Sequence, residues 1–205
     1  MATLYYFHDP MCSWCWGLKP QLEILRSQLP TQVSFVSVLA GLAQDTDEPM
    51  AKSMAEQIEQ IWRKIEGELG RPFNFDFWRE CKPKRSTHIA CRAVIAAAVQ
   101  EKEQAMIDAI QQAYYLKAQN PSELSTLLAC AQAIDLDVAL FESHMADPYL
   151  QTLLAQEIAF FQQYGGGKGM PALALAHQGE VFPIQLDYHN SRAMLTQIDI
   201  ILEQK

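Results

Sequence analysis

The chain alternates between two spacings of apolar residues. Residues 3–8 (Thr-Leu-Tyr-Tyr-Phe-His) form a short aromatic and apolar run that predicts a strand, broken by Asp9-Pro10. Over 12–29, Leu18, Leu22, Ile24, Leu25 and Leu29 recur near helical spacing, with Pro30 as a stop and Pro20 as an expected kink or break. Residues 33–39 predict a second strand, closed by Gly41. This β–α–β order implies parallel strands joined by a right-handed crossover. From about residue 48 to 164 the pattern is helical throughout. Helices are expected over 50–69, 87–99 with Ser86 as N-cap, 106–118, from Ser122 with Glu123 in the first turn, 137–145 and 148–164. Strand character returns at 171–177 and 180–185 around a Gln178-Gly179 turn, before a last helix capped by Asn190 or Ser191 and ending at Leu202. The pattern therefore predicts an α/β fold: a mixed four-stranded sheet (β–α–β … β–β–α) formed by 1–46 and 165–205, interrupted by an all-helical block over 47–164.

Cys12-Ser13-Trp14-Cys15 stands where the first strand hands over to the first helix. The first-turn amides of a helix point outward unpaired, and the dipole is positive there, so a sulfur at that position is favoured as a thiolate. The second cysteine lies one turn on, close enough to close a disulfide. This pattern makes Cys12 the attacking thiolate and Cys15 the resolving thiol. Two other readings compete: two core cysteines at chance spacing, or half of a zinc site, for which Cys81, His88 and Cys91 offer only loosely spaced further ligands.

The stretch Tyr6-Phe7-His8-Asp9-Pro10-Met11-Cys12-Ser13-Trp14-Cys15-Trp16-Gly17 resembles the active-site segment of the DsbA-like thioredoxin-fold oxidoreductases, especially their cytoplasmic FrnE-like branch. That family interrupts a thioredoxin fold with helices between its second and third strands, the order of elements read here. The resemblance implies a cis-proline loop facing the cysteines. Gly167-Lys168-Gly169-Met170-Pro171-Ala172 occupies its place, which implies a cis Met170–Pro171 bond. Met170 then offers backbone groups, and Pro171 a ring without N–H, to an extended substrate. Ser13-Trp14 stands between the cysteines where better-known members carry Pro-His. That departure argues against strongly oxidising character.

Trp14 and Trp16 either present an apolar surface to a substrate or pack within the fold. A protonated His8 would favour the Cys12 thiolate; a strand-end histidine beside a turn-forming Asp-Pro is the plainer reading. Cys91 and Cys130 read as small core residues on helices, and Cys81, among Arg79, Lys82, Lys84 and Arg85, as exposed. The run Gly165-Gly166-Gly167-Lys168-Gly169 is not a phosphate loop: a helix precedes it, a strand follows, and Gly169 stands where Ser or Thr is required.

Composition narrows the partners. A formal charge of -8 argues against nucleic acid and anionic membrane. No apolar run reaches the roughly 20 residues of a membrane span. Met1–Phe7 has no basic region of the kind that opens a secretory signal, and five cysteines at irregular spacing are not a disulfide framework, so a reducing, cytoplasmic setting is expected. The predicted chemistry is dithiol–disulfide exchange with protein or small-thiol substrates and a redox recycling partner, with no cofactor and no metal. Two alternatives remain: a glutathione-linked transferase or isomerase on a related fold, in which a serine usually replaces Cys12, and a non-catalytic redox-sensing chaperone or binding module.

Overall fold

The structure, a computed structural model, describes residues 2–165, 167 and 169–203. Gly166 and Lys168 of the glycine-rich run lie outside the described residues. The chain divides into two compact units, Met1–Ala40 with Glu157–Lys205, and Gly41–Gln156.

The first unit is built on a mixed sheet in the order β2-β1-β3-β4. Strand β1 (Ala2–His8) pairs in parallel with β2 (Val33–Leu39) and antiparallel with β3 (Ala172–His177), which pairs antiparallel with β4 (Glu180–Ile184). Helix α1 (Ser13–Ser27) supplies the crossover between β1 and β2 and runs as one element through Pro20. The expected break is therefore absent, although proline has no N–H to give the carbonyl four residues back. Gln178 and Gly179 carry φ of 52° and 88°, the two left-handed residues of a tight hairpin turn.

The two-residue period of β1 sorts its side chains onto opposite faces. Leu4 and Tyr6 join Leu18 and Leu25 of α1 and Met194 and Ile198 of α9 (Ser191–Leu202) in one core. Asn190 caps α9 by accepting the Arg192 N–H. Phe7 joins Val38, Ala40 and Ala174 on the other face, beneath Phe160, Phe161 and Tyr164. These three rings belong to the last turns of α8 (Tyr149–Tyr164), which is why the division falls inside that helix rather than after residue 164.

The second unit holds α2 (Lys52–Leu69), α3 (Phe77–Glu80), α4 (His88–Ala98), α5 (Glu103–Leu116), α6 (Leu124–Ala133), α7 (Val138–Met145) and the start of α8. Trp62 of α2 is wholly buried among Phe73, Phe77, Trp78, Tyr114 and Tyr115. Helix α4 buries Ala90, Ala93, Ala96 and Ala97, small residues that allow α5, α6 and α7 to pack closely around it.

Two expected caps are corrected. The residue before α4 is Thr87, not Ser86, and its hydroxyl accepts the Ala43 N–H at 3.0 Å instead of capping the helix. Ser122 does not open a helix either. Its hydroxyl donates to the Ser86 carbonyl at 2.6 Å, and α6 begins two residues later. In both places a long-range partner outcompeted the local cap. Asp137, expected as the first residue of its helix, instead caps α7 by accepting the Leu140 N–H at 3.0 Å.

Candidate active site

The site begins with a buried turn at the end of β1. The Asp9 carboxylate accepts the Met11 N–H at 2.8 Å, and the Asp9 carbonyl accepts the Cys12 N–H at 3.0 Å. This closes the chain on itself after Pro10 and delivers Cys12 as the N-cap of α1, with extended φ and ψ of -80° and 113°. Its sulfur takes the part usually played by a capping oxygen: it accepts the Cys15 N–H at 3.3 Å. The first turn of α1 contains no acidic residue. The Cys15 amide and the positive end of the helix dipole are thus both directed at the Cys12 sulfur.

Cys12 is 5% exposed and Cys15 1%. Burial pushes the Cys15 thiol well up, and its hydrogen bond to the Cys12 side chain pushes the same way; hydrogen bonds from the Asp9 backbone and the Tyr6 side chain oppose them. The two side chains are neighbours, and the Cys12 sulfur, on the more exposed of the two residues, faces the Cys15 amide. Such an arrangement can hold an attacking thiolate in front of a reserve thiol.

The surroundings are aromatic. Trp14 is half-buried, edge-on to Tyr188, which belongs to the segment between β4 and α9. Tyr188 ionises far less readily than a free phenol because it is buried, and because it lies within electrostatic reach of both cysteines. Trp16 is buried, with the Lys19 ammonium 5.7 Å from its ring centre. His8 stacks flat on Tyr6, ring centres 4.9 Å apart. Burial lowers its pKa to about 4 and leaves its Nε2 without a hydrogen-bond partner. It is neutral near pH 7, so the protonated His8 considered above is not the source of thiolate stabilisation.

The Met170–Pro171 peptide bond is cis. Ala172 stands opposite Phe7 in the sheet, so Pro171 enters β3 at the end of the sheet where β1 turns toward Cys12. The Met170 side chain packs on the Phe7 and Ala174 face.

The other cysteines belong to the helical unit. Cys91 and Cys130 are buried, and burial raises the Cys130 thiol to about 11. Cys81, expected to be exposed, is partly covered, and its thiol donates to the Ala118 carbonyl at 3.0 Å. Among the described residues, no three His, Cys, Asp or Glu side chains gather as a metal would require, and no helix is long and apolar enough to cross a membrane. Pattern reading missed Tyr6 and Tyr188 as site residues. They come within electrostatic reach of the cysteines only through the fold, and an aromatic residue in a strand or loop carries no signal of that.

Residues 5–165 match the family model described as thioredoxin. The chain belongs to that family. Among curated relatives, it is 27% identical over 148 residues to the ClpXP adapter protein SpxH of Halalkalibacterium halodurans. The match covers 69% of this chain and 48% of that protein. The Bacillus subtilis SpxH is 23% identical, with the same coverage. The chain thus spans about half the length of the curated relatives it matches. Among solved structures, a candidate protein disulfide isomerase from Nitrosomonas europaea superposes with a TM-score of 0.85 at 25% identity, covering 99% of this chain and 98% of that one. The cytosolic disulfide reductase DsbM from Pseudomonas aeruginosa gives 0.78 at 23%, covering 98% of each chain. Its structure with GSH gives 0.76 at 21%, covering 98% of this chain and all of that one. The fold of this thioredoxin-family chain is DsbA-like, a four-stranded mixed sheet interrupted between β2 and β3 by helices.

Proposed function

We propose that this chain is a thiol–disulfide oxidoreductase in which Cys12 attacks and Cys15 resolves. The observation that carries the reading is the 3.3 Å hydrogen bond from the Cys15 amide to the Cys12 sulfur at the start of α1. It supports the reading by aiming a backbone donor at the Cys12 sulfur, next to the buried Cys15.

In the first step the Cys12 sulfur attacks a disulfide R–S–S–R′. A Cys12–S–S–R bond forms, and R′–S⁻ leaves with the electron pair. In the second, Cys15 attacks the Cys12 sulfur, closes the Cys12–Cys15 disulfide and releases R–S⁻. The substrate sulfurs are reduced and the cysteine pair is oxidised, and a thiol donor must then restore the dithiol. Met170 and Pro171, at the same end of the sheet, and Trp14 form the surface that takes the substrate chain. The likeness to a reductase solved with GSH supports small thiols as substrate or recycling partner, and that neighbour's cytosolic setting supports a cytoplasmic one here.

The test is trapping. Cys15→Ser protein mixed with oxidised glutathione or a protein disulfide should accumulate a mixed disulfide at Cys12, located by peptide mass spectrometry. Cys12→Ser protein should accumulate none. Trapping at Cys15 instead, or at neither residue, overturns the assignment.

The SpxH relatives favour a second reading, in which the chain holds a protein partner irrespective of turnover. A Cys12→Ala protein that binds such a partner as tightly as the native chain supports it; loss of binding with the cysteine removes it.

A further inference from the structure

At the cysteine end of the sheet, the segment that enters β3 carries another sulfur, the Met170 thioether. We infer that Met170 is a site of oxidative modification, at which peroxide forms a sulfoxide that unseats the Met170–Pro171 segment and shuts down exchange with protein disulfides. This role rests on the oxidoreductase reading above and gives its substrate surface a control.

The sheet register builds the seat of this side chain. Ala172 stands opposite Phe7 and Ala174 opposite Tyr5, and directly opposed residues share a face. Met170, two positions before Ala172, packs on that same face. The alanine side chains are short, so the end of β3 leaves room for a longer one. Phe7 is wholly buried there, with the Phe161 and Phe160 ring centres 5.4 and 6.0 Å from its own. An unbranched, polarisable thioether suits such a seat. A sulfoxide does not. Its oxygen needs a hydrogen-bond donor, and the buried residues beneath it, Phe7, Val38, Ala40 and Ala174, have none on their side chains. The oxidised side chain therefore turns toward water, and Pro171, bonded directly to Met170, moves with it.

Exposure singles out Met170 within its unit. Among the described methionines of the sheet unit, Met11 is 4% exposed and Met194 0%, whereas Met170 is partly open to solvent. Met50, Met54 and Met145 are also at least partly exposed, but they belong to the helical unit. In the reaction the Met170 sulfur takes one oxygen from hydrogen peroxide. A sulfur–oxygen bond forms and the peroxide oxygen–oxygen bond breaks. The sulfur is oxidised by two electrons, and the remaining oxygen leaves as water with both hydrogens. A methionine sulfoxide reductase reverses the change: two thiols become a disulfide, and the oxygen departs as water.

The test starts from protein whose Cys12 and Cys15 are already joined as a disulfide, which shields them from irreversible oxidation. Hydrogen peroxide is added and removed, and dithiothreitol then restores the thiols while leaving sulfoxides in place. Each protein is compared with itself before treatment. Peptide mass spectrometry of the native chain should show Met170 as sulfoxide. Its rate with a protein disulfide should fall about tenfold, the scale of an unpartnered polar group on an apolar seat, and its rate with hydroxyethyl disulfide by less than about twofold. Methionine sulfoxide reductase should restore the first rate. Met170→Leu, a swap of similar volume, should keep its own rate through the same treatment, although Met50, Met54 and Met145 are present to be oxidised in it. An unmodified Met170, a rate recovered while Met170 sulfoxide persists, or an equal loss in Met170→Leu overturns the inference. The reductase rescue uses the native chain and decides the matter should the variant fail to fold. If the untreated chain forms no Cys12–Cys15 disulfide or exchanges with no substrate, the oxidoreductase reading itself fails, and the control falls with it.

Discussion

Trp14 stands edge-on to Tyr188, with ring centres 5.3 Å and planes 69° apart, in a pair that joins the residue between the two cysteines to a loop 174 positions later. An edge-to-face pair contributes about 0.5–1.5 kcal/mol beyond its area, so each ring holds the other. Removing Tyr188 as Tyr188→Ala should loosen Trp14 and raise KM for a protein disulfide severalfold, while kcat falls less. Steady-state kinetics with a protein and a small disulfide check this. The small substrate, which needs no apolar wall, should be nearly unaffected.

His8 sets a stability limit on the acid side. Its pKa is about 4 in the folded chain, against about 6.5 unfolded. The unfolded state therefore binds more protons between those values. Stability from keeping His8 neutral is complete above about pH 6.5 and is lost as pH falls toward 4. The loss should be on the order of 3 kcal/mol. Urea midpoints measured across that range should decline with falling pH, and His8→Phe should flatten the decline.

Ser122 and Ser86 tie two segments of the helical unit together through one buried hydrogen bond of 2.6 Å. Ser122→Ala leaves the Ser86 carbonyl unpaired and should cost about 1–3 kcal/mol. Ser122→Thr, which keeps the hydroxyl, should recover part of it. Chemical denaturation of the three proteins measures both effects.

These serines also show what pattern reading could and could not reach. Each strand was legible because a short apolar run bounded by Pro, Gly or Asp has few other fates, and β1, β2, β3 and β4 lie where their runs predicted. Asp137 and Asn190 were recoverable because their partners are two or three residues away. Ser86, Thr87 and Ser122 were not, because their groups bind partners about 36 to 44 positions distant. Helix α3, a single turn over Phe77–Glu80, is too short to show a period. At the site, Cys12 and Cys15 declared themselves by spacing, whereas Tyr6 looked like any strand aromatic until β1 and α1 were packed together.

Gly165 allows α8 to end against its own last turn. Its N–H donates to the Phe161 carbonyl at 2.7 Å, and an added methyl would meet both that carbonyl and the Phe161 ring. Gly165→Ala should push the ring off Phe7, whose centre lies 5.4 Å away, at about 1–3 kcal/mol. Thermal melting should show the loss, and Gly165→Ser should be no better tolerated.

Thiol counting separates the cysteines. Under mild oxidation two thiols should disappear, both mapping to Cys12 and Cys15. Cys91 and Cys130 should resist alkylation until the chain unfolds, since burial shields the first and holds the second largely protonated below about pH 11. Mass spectrometry of alkylated peptides, with and without denaturant, checks both statements.

The interruption of the sheet unit sets an order of assembly. Gly41–Gln156 is continuous in sequence, and its contacts are available as soon as it leaves the ribosome. The sheet is not so placed: β1 emerges first but receives its antiparallel neighbour β3 only after the whole helical unit has been made. Until then one side of β1 has no strand to pair with, and Tyr6 has no completed core around it. The surroundings that bury Cys12 and Cys15 are therefore completed late, only when the second segment of the sheet unit, Glu157–Lys205, has been made.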